Sequence, residues 1–406
     1  MYIPRYLQDF ITRISRSFPV ILLTGPRQVG KTTLLQYLAS AEHPPRSYVS
    51  LDEYGPQLLA RSDPALFLQR HPPPVVIEEI QHAPNLLSHI KPRIDKSGKM
   101  GQYWLTGSQQ FQLMTDVSES LAGRVGIIKM LGFSLAEERG LPRRSEAFRP
   151  DRITTDIRGQ EIIPLFERIV RGSLPRFAQA DPPPIEAYYG SYMATYVERD
   201  VRLLKEIANL DTFRRFVTVA AARVGQLLNY SDLARDVGIA VSTAREWLHT
   251  LEATLQIILL RPYFANLNKR QIKTPKLYFS DTGLVCYLTG WHTAKSAASG
   301  AMAGQLLECW AVSELYKSYW HRGREAPLWY YRDKEKREVD VLIAEEGRVF
   351  PLEIKLAGNP SKRDAAAMEY LERNGVPCGP GVVLCPIGNP YPITEKVSAY
   401  PVSEVW

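Results

Sequence analysis

The sequence has few of the features that mark secreted, membrane-spanning or zinc-stabilised proteins. It contains four cysteines in 406 residues, and they form neither a CxxC pair nor a cluster with histidine. No disulfide framework or structural zinc site is therefore predicted, and we expect four small buried thiols: Cys286, Cys309, Cys378 and Cys385. The chain has no run of eighteen apolar residues and no N-terminal signal-peptide pattern. A soluble cytoplasmic protein with no membrane partner is expected.

The excess of charge is also small. The 50 Lys and Arg residues against 43 Asp and Glu residues give a formal net charge of +7. Such a charge is compatible with a polyanionic partner, but many unrelated proteins share it. Basic residues are concentrated at 143–158 and 269–276, where phosphate contacts are expected. Hydrophobic residues make up 45% of the chain, which is enough for two or three packed domains and excludes disorder as the dominant state.

The first third of the chain alternates short apolar strands with amphipathic helices. Strands are predicted at Val20–Thr24, Val75–Ile80 and Tyr103–Thr106, and a helix is predicted from Lys31 onward. This alternation is typical of a parallel α/β sheet. The first predicted domain spans residues 1–140.

The remainder is predicted to be helical in the middle and α/β at the end. Residues 141–204 form a helical lid and linker, and residues 205–290 contain three short helices. Residues 291–406 form a second α/β domain. Its predicted elements are a helix at 304–319, strands at 328–331, 339–343, 349–354 and 382–384, and a helix at 361–373.

The strongest functional motif is a phosphate-binding loop. Residues 25–32 fit the pattern GxxxxGK[ST], between an apolar strand and a helix. Backbone N–H groups of such a loop surround the β-phosphate, Lys31 reaches the β- and γ-phosphate oxygens, and Thr32 offers a hydroxyl to Mg²⁺. ATP and Mg²⁺ are the predicted cofactors. The predicted nucleotide contacts are Gly25, Pro26, Arg27, Gln28, Val29, Gly30, Lys31, Thr32 and Thr33.

Two acids at the end of the next apolar run supply the carboxylates that a phosphate-binding loop requires. We assign Glu78 to Mg²⁺, through water, and Glu79 to polarising the attacking water. Thr106 or Ser108, after the following strand, is expected to sense the γ-phosphate. Arg124 lies where ring ATPases present an arginine finger to the neighbouring subunit, and the alternative is a local ion pair.

Four segments together resemble a prokaryotic AAA-type P-loop ATPase domain of the AAA+ superfamily: Thr24–Thr32, Glu78–Gln81, Leu105–Gln109 and Glu119–Arg124. Proteins of this kind pair the domain with a C-terminal domain of unknown function. Residues 171–176 and 195–200 resemble the junction of that architecture, so the resemblance covers nearly the whole chain. It implies an ATPase motor that forms a homo-oligomer, with a hexameric ring as one arrangement.

Residues 230–251 have the helix, glycine turn and second helix of a helix-turn-helix. The apolar runs at 257–260 and 276–279 would add a winged hairpin. Ser242, Thr243 and Arg245 are predicted to face a DNA groove, while basic residues at the hairpin tip would contact phosphates: Lys269, Arg270 and Lys273. The alternative is a protein-interaction module, because the second helix carries Glu246 and only one arginine.

Carboxylates recur in the tail on predicted neighbouring elements. Asp340 lies near the start of one strand, Glu353 and Lys355 share a face of the next, and Glu308 lies on the preceding helix. This order resembles the PD-(D/E)xK restriction-endonuclease-like nucleases. The resemblance implies that the three acids hold Mg²⁺ and that Lys355 acts in catalysis. The Pro-Asp of that motif is replaced by Val339-Asp340, and a degenerate fold that only grips nucleic acid is the alternative.

Two functions follow from these patterns. The first is an ATP-hydrolysing motor that acts on duplex or branched DNA in translocation, remodelling or repair. Its tail would bind the DNA or cleave it as a metal-dependent endonuclease. The second is a nucleotide-dependent switch or scaffold that binds protein partners and carries a degenerate nuclease fold.

Overall fold

The first part of the chain folds around a five-stranded parallel sheet. The computed structural model describes residues 2–107, 120–153, 159–196, 210–264 and 274–406. The strands are β1 (Val20–Thr24), β2 (Ser47–Ser50), β3 (Val75–Glu78), β4 (Tyr103–Gly107) and β5 (Val125–Lys129). Their order in the sheet is β2-β3-β4-β1-β5, with every neighbouring pair parallel. The strand before the phosphate-binding loop therefore lies inside the sheet, and the predicted α/β architecture is confirmed.

Helices cover both faces of this sheet. They are α1 (Leu7–Ser15), α2 (Lys31–Ala41), α3 (Tyr54–Ser62), α4 (Pro64–Arg70) and α5 (Leu86–Ser97). Alternate residues of a strand point to opposite faces: Ile21 and Leu23 pack with residues of α1 and α2, whereas Val20 and Leu22 pack with residues of α4 and α5. The sheet is consequently the middle layer of three, and its strands are apolar on both sides.

The middle of the described chain is helical apart from one strand pair. The helices are α6 (Leu135–Glu138), α7 (Ile162–Arg171), α8 (Ile185–Tyr196), α9 (Leu210–Ala221), α10 (Tyr230–Val237) and α11 (Val241–Ala253). Gly238 ends α10 with a φ of 78°, a left-handed conformation that glycine adopts without steric cost. Strands β6 (Ile257–Leu260) and β7 (Lys276–Phe279) then pair antiparallel. The structure thus has two helices joined by a glycine turn and followed by a strand pair, at the positions that the sequence predicts.

The tail contains a six-stranded mixed sheet. Helices α12 (Thr282–Thr289), α13 (Ala294–Ser299) and α14 (Ala303–Trp320) precede strands β8 (Leu328–Arg332), β9 (Glu338–Glu345) and β10 (Arg348–Ile354). Helix α15 (Lys362–Arg373) and strands β11 (Gly381–Cys385), β12 (Tyr391–Pro392) and β13 (Val397–Pro401) complete it. The strand order is β12-β13-β11-β10-β9-β8, with β10 antiparallel to β9 and parallel to β11. Fourteen of the eighteen residues of α14 are buried, so this helix lies at the centre of the tail.

Several expectations change in detail. The strand predicted at Val75–Ile80 ends at Glu78, because Glu79 adopts a left-handed φ of 55°. The edge strands β2 and β5 were not predicted from the sequence, because they are short and partly exposed and so lack a continuous apolar run. All four cysteines are free, and three are buried, whereas Cys378 is partly exposed. Among the described residues, no helix combines the length and apolar character needed to cross a membrane.

A buried ionic network joins the sheet to the tail. The guanidinium of Arg5 donates to the carboxylate of Glu137 at 3.2 Å and to the carbonyls of Val29 and Leu131 at 3.0 and 2.7 Å. His321, which ends α14, contacts the other oxygen of Glu137 through Nδ1 at 3.0 Å. Arg5, Glu137 and His321 are at most 4% exposed. One carboxylate therefore neutralises a buried guanidinium and holds the tail at the same time.

The pKa values in this network follow from its contacts. Burial alone would raise the pKa of Glu137, but Arg5, His321 and the backbone N–H of Ser134 outweigh burial and keep this pKa well below its usual range. Burial lowers the pKa of His321. The N–H of Leu131 points at Nε2 of His321 at 3.4 Å, so Nε2 accepts and Nδ1 carries the proton that is donated to Glu137.

Substituting Glu137→Gln should destabilise the fold by about 3–5 kcal/mol at neutral pH, because it leaves the Arg5 guanidinium buried without its counter-charge. Since the pKa of Glu137 is lower in the folded than in the unfolded state, its stabilisation is complete above the unfolded value and is lost as the pH falls. Urea unfolding of both proteins should therefore show the largest difference above about pH 5 and a shrinking difference below about pH 4.

The matched control is Asp9→Asn, whose exposed carboxylate pairs with Arg143 and should contribute less than about 1 kcal/mol. Equal effects of the two substitutions at neutral pH would contradict the role assigned to the buried network.

Candidate functional site

The phosphate-binding loop connects the carboxyl end of β1 to the first turn of α2. Gly25 lies so close to the backbone of Met130 that a β-carbon would come within 2.0 Å of its carbonyl oxygen. Gly30 caps α2 with a left-handed φ of 92°. A side chain is thus sterically excluded at one glycine and strained at the other. The loop leaves the N–H groups at the start of α2 pointing toward the space where an anion binds.

Lys31 lies inside this loop. Its ammonium donates to the carbonyls of Gly25 and Pro26 at 2.9 and 2.8 Å, and the residue is 6% exposed. The carbonyls hold the positive charge over the centre of the loop, as required for contact with the β- and γ-phosphates of a nucleotide.

Thr32 and Glu78 meet at the mouth of the loop. The Thr32 hydroxyl donates to Oε1 of Glu78, and the hydroxyl of Tyr48 donates to Oε2 of the same carboxylate. Glu78 is 9% exposed. A hydroxyl and a carboxylate oxygen side by side are ligands that suit Mg²⁺, so the sequence-predicted pair is adjacent. Tyr48, which the sequence does not single out, fixes the carboxylate from the neighbouring strand.

Glu79 stands just beyond β3 in a conformation that non-glycine residues seldom adopt. Its N–H donates to the Thr106 hydroxyl at 3.1 Å, and the side-chain amide of Gln81 donates to its carboxylate. The unusual backbone conformation turns Glu79 into the same cavity as Lys31 and Thr32. Strained backbone of this kind is concentrated at functional sites. Thr106 positions Glu79 here, and Ser108, the other predicted phosphate sensor, lies outside the described residues.

The opposite wall of this cavity comes from the predicted lid. The cavity measures about 640 Å³, and the residues on this wall are Pro175, Arg176, Gln179, Tyr188 and Thr195. Arg176 donates to Gln179 and to the carbonyl of Asp181, both at 2.8 Å. Burial raises the pKa of Tyr188 to about 12, so its phenol remains protonated. Sequence reasoning missed this wall because only the fold brings residues 175–195 over the loop.

A second, mostly apolar cavity adjoins the first. It measures about 80 Å³ and shares Gly30, Thr33, Pro175 and Gln179 with the polar cavity. Its remaining walls come from the N-terminus, the loop, α2 and the segment before α6: Tyr2, Ile3, Arg5, Val29, Leu34 and Phe133. The combined site is therefore polar at the phosphate-binding loop and apolar beside it.

Arg124 lies at the other end of the sheet. It precedes β5, whose first residue is in register with Val20 at the start of β1. Because strands rise about 3.3 Å per residue, Arg124 is roughly 20 Å along the sheet from Gly25 at the start of the phosphate-binding loop. Within the chain it pairs with Asp95 at 2.6 Å, the local contact that was the alternative interpretation. It is too far away to serve the site of its own chain.

The predicted DNA-binding residues occupy the first turns of α11. Ser242 and Arg245 are exposed and Thr243 is partly exposed. The Arg245 guanidinium lies 5.1 Å from the centre of the Tyr230 ring. The other predicted phosphate contacts, Lys269, Arg270 and Lys273, lie outside the described residues.

One described cation of each basic segment differs from expectation. Arg149 pairs with Asp151, Glu345 and Glu346 at 2.7–3.0 Å, and Lys276 is buried among carboxylates. Both cations form ion pairs within the chain. The number of basic residues in the sequence therefore overstates the number of cations that are available to contact a phosphate backbone.

The tail carboxylates do converge, but around a lysine. Lys276 on β7 contacts Glu308, Glu338 and Asp340, while Lys355 pairs with Glu353 at 2.6 Å. Burial, followed by the charge of Asp340, raises the pKa of Glu308 to about 7 and that of Glu353 to about 8. Across the described ranges, no group of three or more His, Cys, Asp or Glu side chains is arranged to hold a metal ion. The predicted set Glu308, Asp340 and Glu353 therefore does not fit Mg²⁺ as it stands.

Comparisons with known families agree with the geometry of the first domain. Residues 17–138 match a family described as an AAA domain. Residues 164–295 and 303–405 match two domains of unknown function, DUF8612 and DUF4143. Uncharacterized proteins of Mycobacterium tuberculosis (Rv2008c) and Mycobacterium bovis (Mb2031c) are each 29% identical over 407 residues, covering 98% of this chain and 84% of the relative.

Two solved structures with some similarity come from Pyrococcus abyssi and Thermotoga maritima. The Walker-type ATPase PABY2304 of Pyrococcus abyssi is 16% identical, with 70% of this chain and 94% of that chain covered and a TM-score of 0.41. The RuvB Holliday junction branch migration motor of Thermotoga maritima is 18% identical, with 63% and 90% covered and a TM-score of 0.32.

The AAA-domain match and the phosphate-binding loop together identify an AAA-type P-loop ATPase domain at the start of the chain. The other two matches carry no described function. The winged-helix and nuclease-like interpretations therefore depend on the residues of this chain alone.

Replacing Arg176 with methionine should weaken nucleotide binding about tenfold, because it removes the cation that faces the phosphate-binding loop from the lid and would make a charge-assisted contact. Titration with a fluorescent ATP analogue measures the change. Arg70→Met, an exposed position on α4, should leave affinity unaltered. Equal affinity of Arg176→Met and the wild type would remove Arg176 from the site.

Proposed function

We propose that this chain is an ATP-hydrolysing AAA+ motor that acts on DNA as a homo-oligomer. The observation that carries the proposal is that Lys31, Thr32 and Glu79 line one cavity at the phosphate-binding loop, where the Thr32 hydroxyl contacts the carboxylate of Glu78. A cation for the phosphates, a hydroxyl–carboxylate pair for Mg²⁺ and a second carboxylate for water are the components that phosphoryl transfer to water requires.

The residues divide the chemistry among them. Lys31 and the N–H groups of the loop bind the phosphates, and Thr32 with Glu78 would hold Mg²⁺, which neutralises charge on the phosphate oxygens when bound. Glu79 accepts a proton from the attacking water while Thr106 fixes its backbone. Tyr48 keeps Glu78 oriented from the adjacent strand.

The two cavities define the orientation in which a nucleotide would bind. The triphosphate belongs in the polar cavity at Lys31, and the base belongs in the apolar cavity beside Tyr2, Ile3 and Leu34. Pockets of this kind bury an apolar ligand surface and use a few polar groups for orientation. Binding would bring the lid residues Arg176 and Tyr188 into contact with the ligand.

The position of Arg124 supports assembly into a homo-oligomer. Since it lies at the far end of the sheet from its own phosphate-binding loop, a role in hydrolysis requires a second copy whose site it reaches. It would exchange Asp95 for the γ-phosphate of the neighbouring site, which is how an arginine finger contributes in trans. A ring of copies, such as a hexamer, meets this requirement at every site.

The DNA assignment depends on α11 and the strand pair that follows it. The exposed Ser242, Thr243 and Arg245 at the start of a second helix suit contact with a DNA groove in a winged helix-turn-helix. The tail would then hold nucleic acid beside the motor, in the manner of a nuclease-like fold.

A second candidate function is a nucleotide-dependent switch that binds a protein partner. A groove of about 640 Å³ runs along the outer side of α11 and is lined by Arg245, Arg261, Glu246 and Glu252 among other residues. Walls of both charge signs suit a polypeptide better than a polyanion.

Lys31→Ala should lower ATP turnover at least 100-fold, because the phosphates lose the cation that follows developing charge in the transition state. Released phosphate measures the turnover, and circular dichroism with a melting curve should show the fold retained. Lys129→Ala, on β5 of the same sheet, should preserve turnover. Undiminished hydrolysis by purified Lys31→Ala would remove the P-loop assignment.

Addition of DNA should raise ATP turnover severalfold, and the stimulation should fall as salt increases because phosphate contacts release counterions. Single strands, duplexes and four-way junctions are compared in a phosphate-release assay, with Arg245→Ala expected to be stimulated less than Arg70→Ala. No stimulation by any of these DNAs, together with no salt-dependent binding, would exclude the DNA motor and favour the protein-binding switch.

A further inference from the structure

The acidic cluster of the tail already contains a cation. Lys276 projects from β7 and places its ammonium 3.0 Å from Oε1 of Glu308, 2.5 Å from Oε1 of Glu338 and 3.2 Å from Oδ1 of Asp340. Its side chain is 3% exposed. An ammonium has three N–H donors, and here each has a carboxylate oxygen within reach.

The carboxylates come from separate elements, so the lysine joins them. Glu308 lies on α14, and Glu338 and Asp340 lie on β9. Lys276 reaches them from the strand pair of the helical middle. The ammonium is therefore both the counter-ion of the cluster and a link between β7 and the tail sheet.

Other donors contact the carboxylates of the cluster as well. Oδ2 of Asp340 accepts the backbone N–H of Ile354 at 3.0 Å. The hydroxyl of Tyr278 donates at 2.5 Å to Oε1 of Glu308, the same oxygen that Lys276 contacts. On the far side, Lys355 contacts Oε1 of Glu353, and Oε2 of Glu353 is buried without a hydrogen-bond partner. Both oxygens of Asp340, the carboxylate that a metal would need most, already have donors.

A divalent ion cannot share this position with Lys276. Mg²⁺ requires oxygen ligands at about 2.0–2.1 Å in a near-octahedral arrangement. The same oxygens surround an ammonium nitrogen at hydrogen-bonding distance, and two cations at one point would repel strongly in a buried site. Metal could enter only if the ammonium of Lys276 moved out of the cluster.

We infer that Lys276 is a built-in counter-ion that replaces the divalent cation of the tail and locks the β6–β7 pair onto the tail sheet. In this arrangement the tail lacks the metal chemistry of phosphodiester hydrolysis and serves to hold rather than to cut. The inference concerns the tail and does not depend on ATP hydrolysis by the first domain.

Removing the lysine should create the metal site that it replaces. Lys276→Met keeps most of the length of the unbranched side chain and leaves three carboxylates without their common cation. We expect this variant to melt at a lower temperature than the wild type in EDTA and to recover part of the loss with Mn²⁺. Its Mn²⁺ affinity, measured by calorimetry and by the paramagnetic resonance of free Mn²⁺, should exceed that of the wild type at least tenfold.

Two controls assign any new binding to the cluster. Lys276→Met/Asp340→Asn should lose the gained Mn²⁺ site, and Lys355→Met, which removes the other lysine of the tail, should not create an Asp340-dependent one. A folded Lys276→Met protein that gains no Mn²⁺ binding would overturn the inference.

Mn²⁺ binding by the wild type tests the inference independently of whether the lysine variant folds. Wild type and Asp340→Asn should bind Mn²⁺ equally, because Lys276 excludes the ion from Asp340 in both. Mn²⁺ binding in the wild type that disappears in Asp340→Asn would overturn the inference whatever Lys276→Met does. ATP turnover by the same preparations shows separately whether the proposed motor function stands.

Discussion

The buried guanidinium of Arg5 is the contact on which the arrangement of the chain depends most. It fixes the N-terminal segment, the carbonyl of Val29 inside the phosphate-binding loop, and the segment that follows β5. Through Glu137 it also reaches His321 at the end of α14. A buried guanidinium must satisfy its donors and find a counter-charge. Meeting that demand brings the nucleotide site and the tail into one network.

This network gives the phosphate-binding loop a rigid support. The loop is held from behind by Arg5 and from the front by the contacts of Lys31 with its own carbonyls. The lid wall is built differently, since Arg176 binds partners within its own segment. The site therefore combines a fixed phosphate platform with a wall that can exchange internal contacts for ligand contacts, which is the arrangement that ligand closure requires.

Helix α14 connects the two clusters of charge in the molecule. Glu308 near its start takes part in the lysine-centred cluster, and Glu314, Lys317 and His321 toward its end belong to the buried contacts behind the first domain. Carboxylates that are alike in sequence thus have different partners, because one set is neutralised by Lys276 and the other by Arg5 and Lys317. Local partners, rather than residue type, decide which acids are available for chemistry.

The sequence by itself determined those parts of the structure that depend only on residues close together in the chain. A GxxxxGK[ST] loop between a strand and a helix can only form one kind of phosphate platform, so Lys31 and Thr32 were predictable, and alternating apolar runs predicted the α/β layers and the two helices around Gly238. Glu78 and Glu79 followed from their place at a strand end. The left-handed backbone of Glu79 was not predictable from that pattern.

Tertiary structure decided which distant groups meet. Tyr48, Arg176 and Tyr188 join the nucleotide site from segments to which the sequence assigned no part in nucleotide binding, and Arg124 lies at the far end of the sheet from its own phosphate-binding loop. Lys276 looked like a surface cation in the sequence, yet the fold buries it among Glu308, Glu338 and Asp340. The spacing of charges along a chain does not reveal their partners, because the strength and effect of an ionic contact depend on distance and burial in three dimensions.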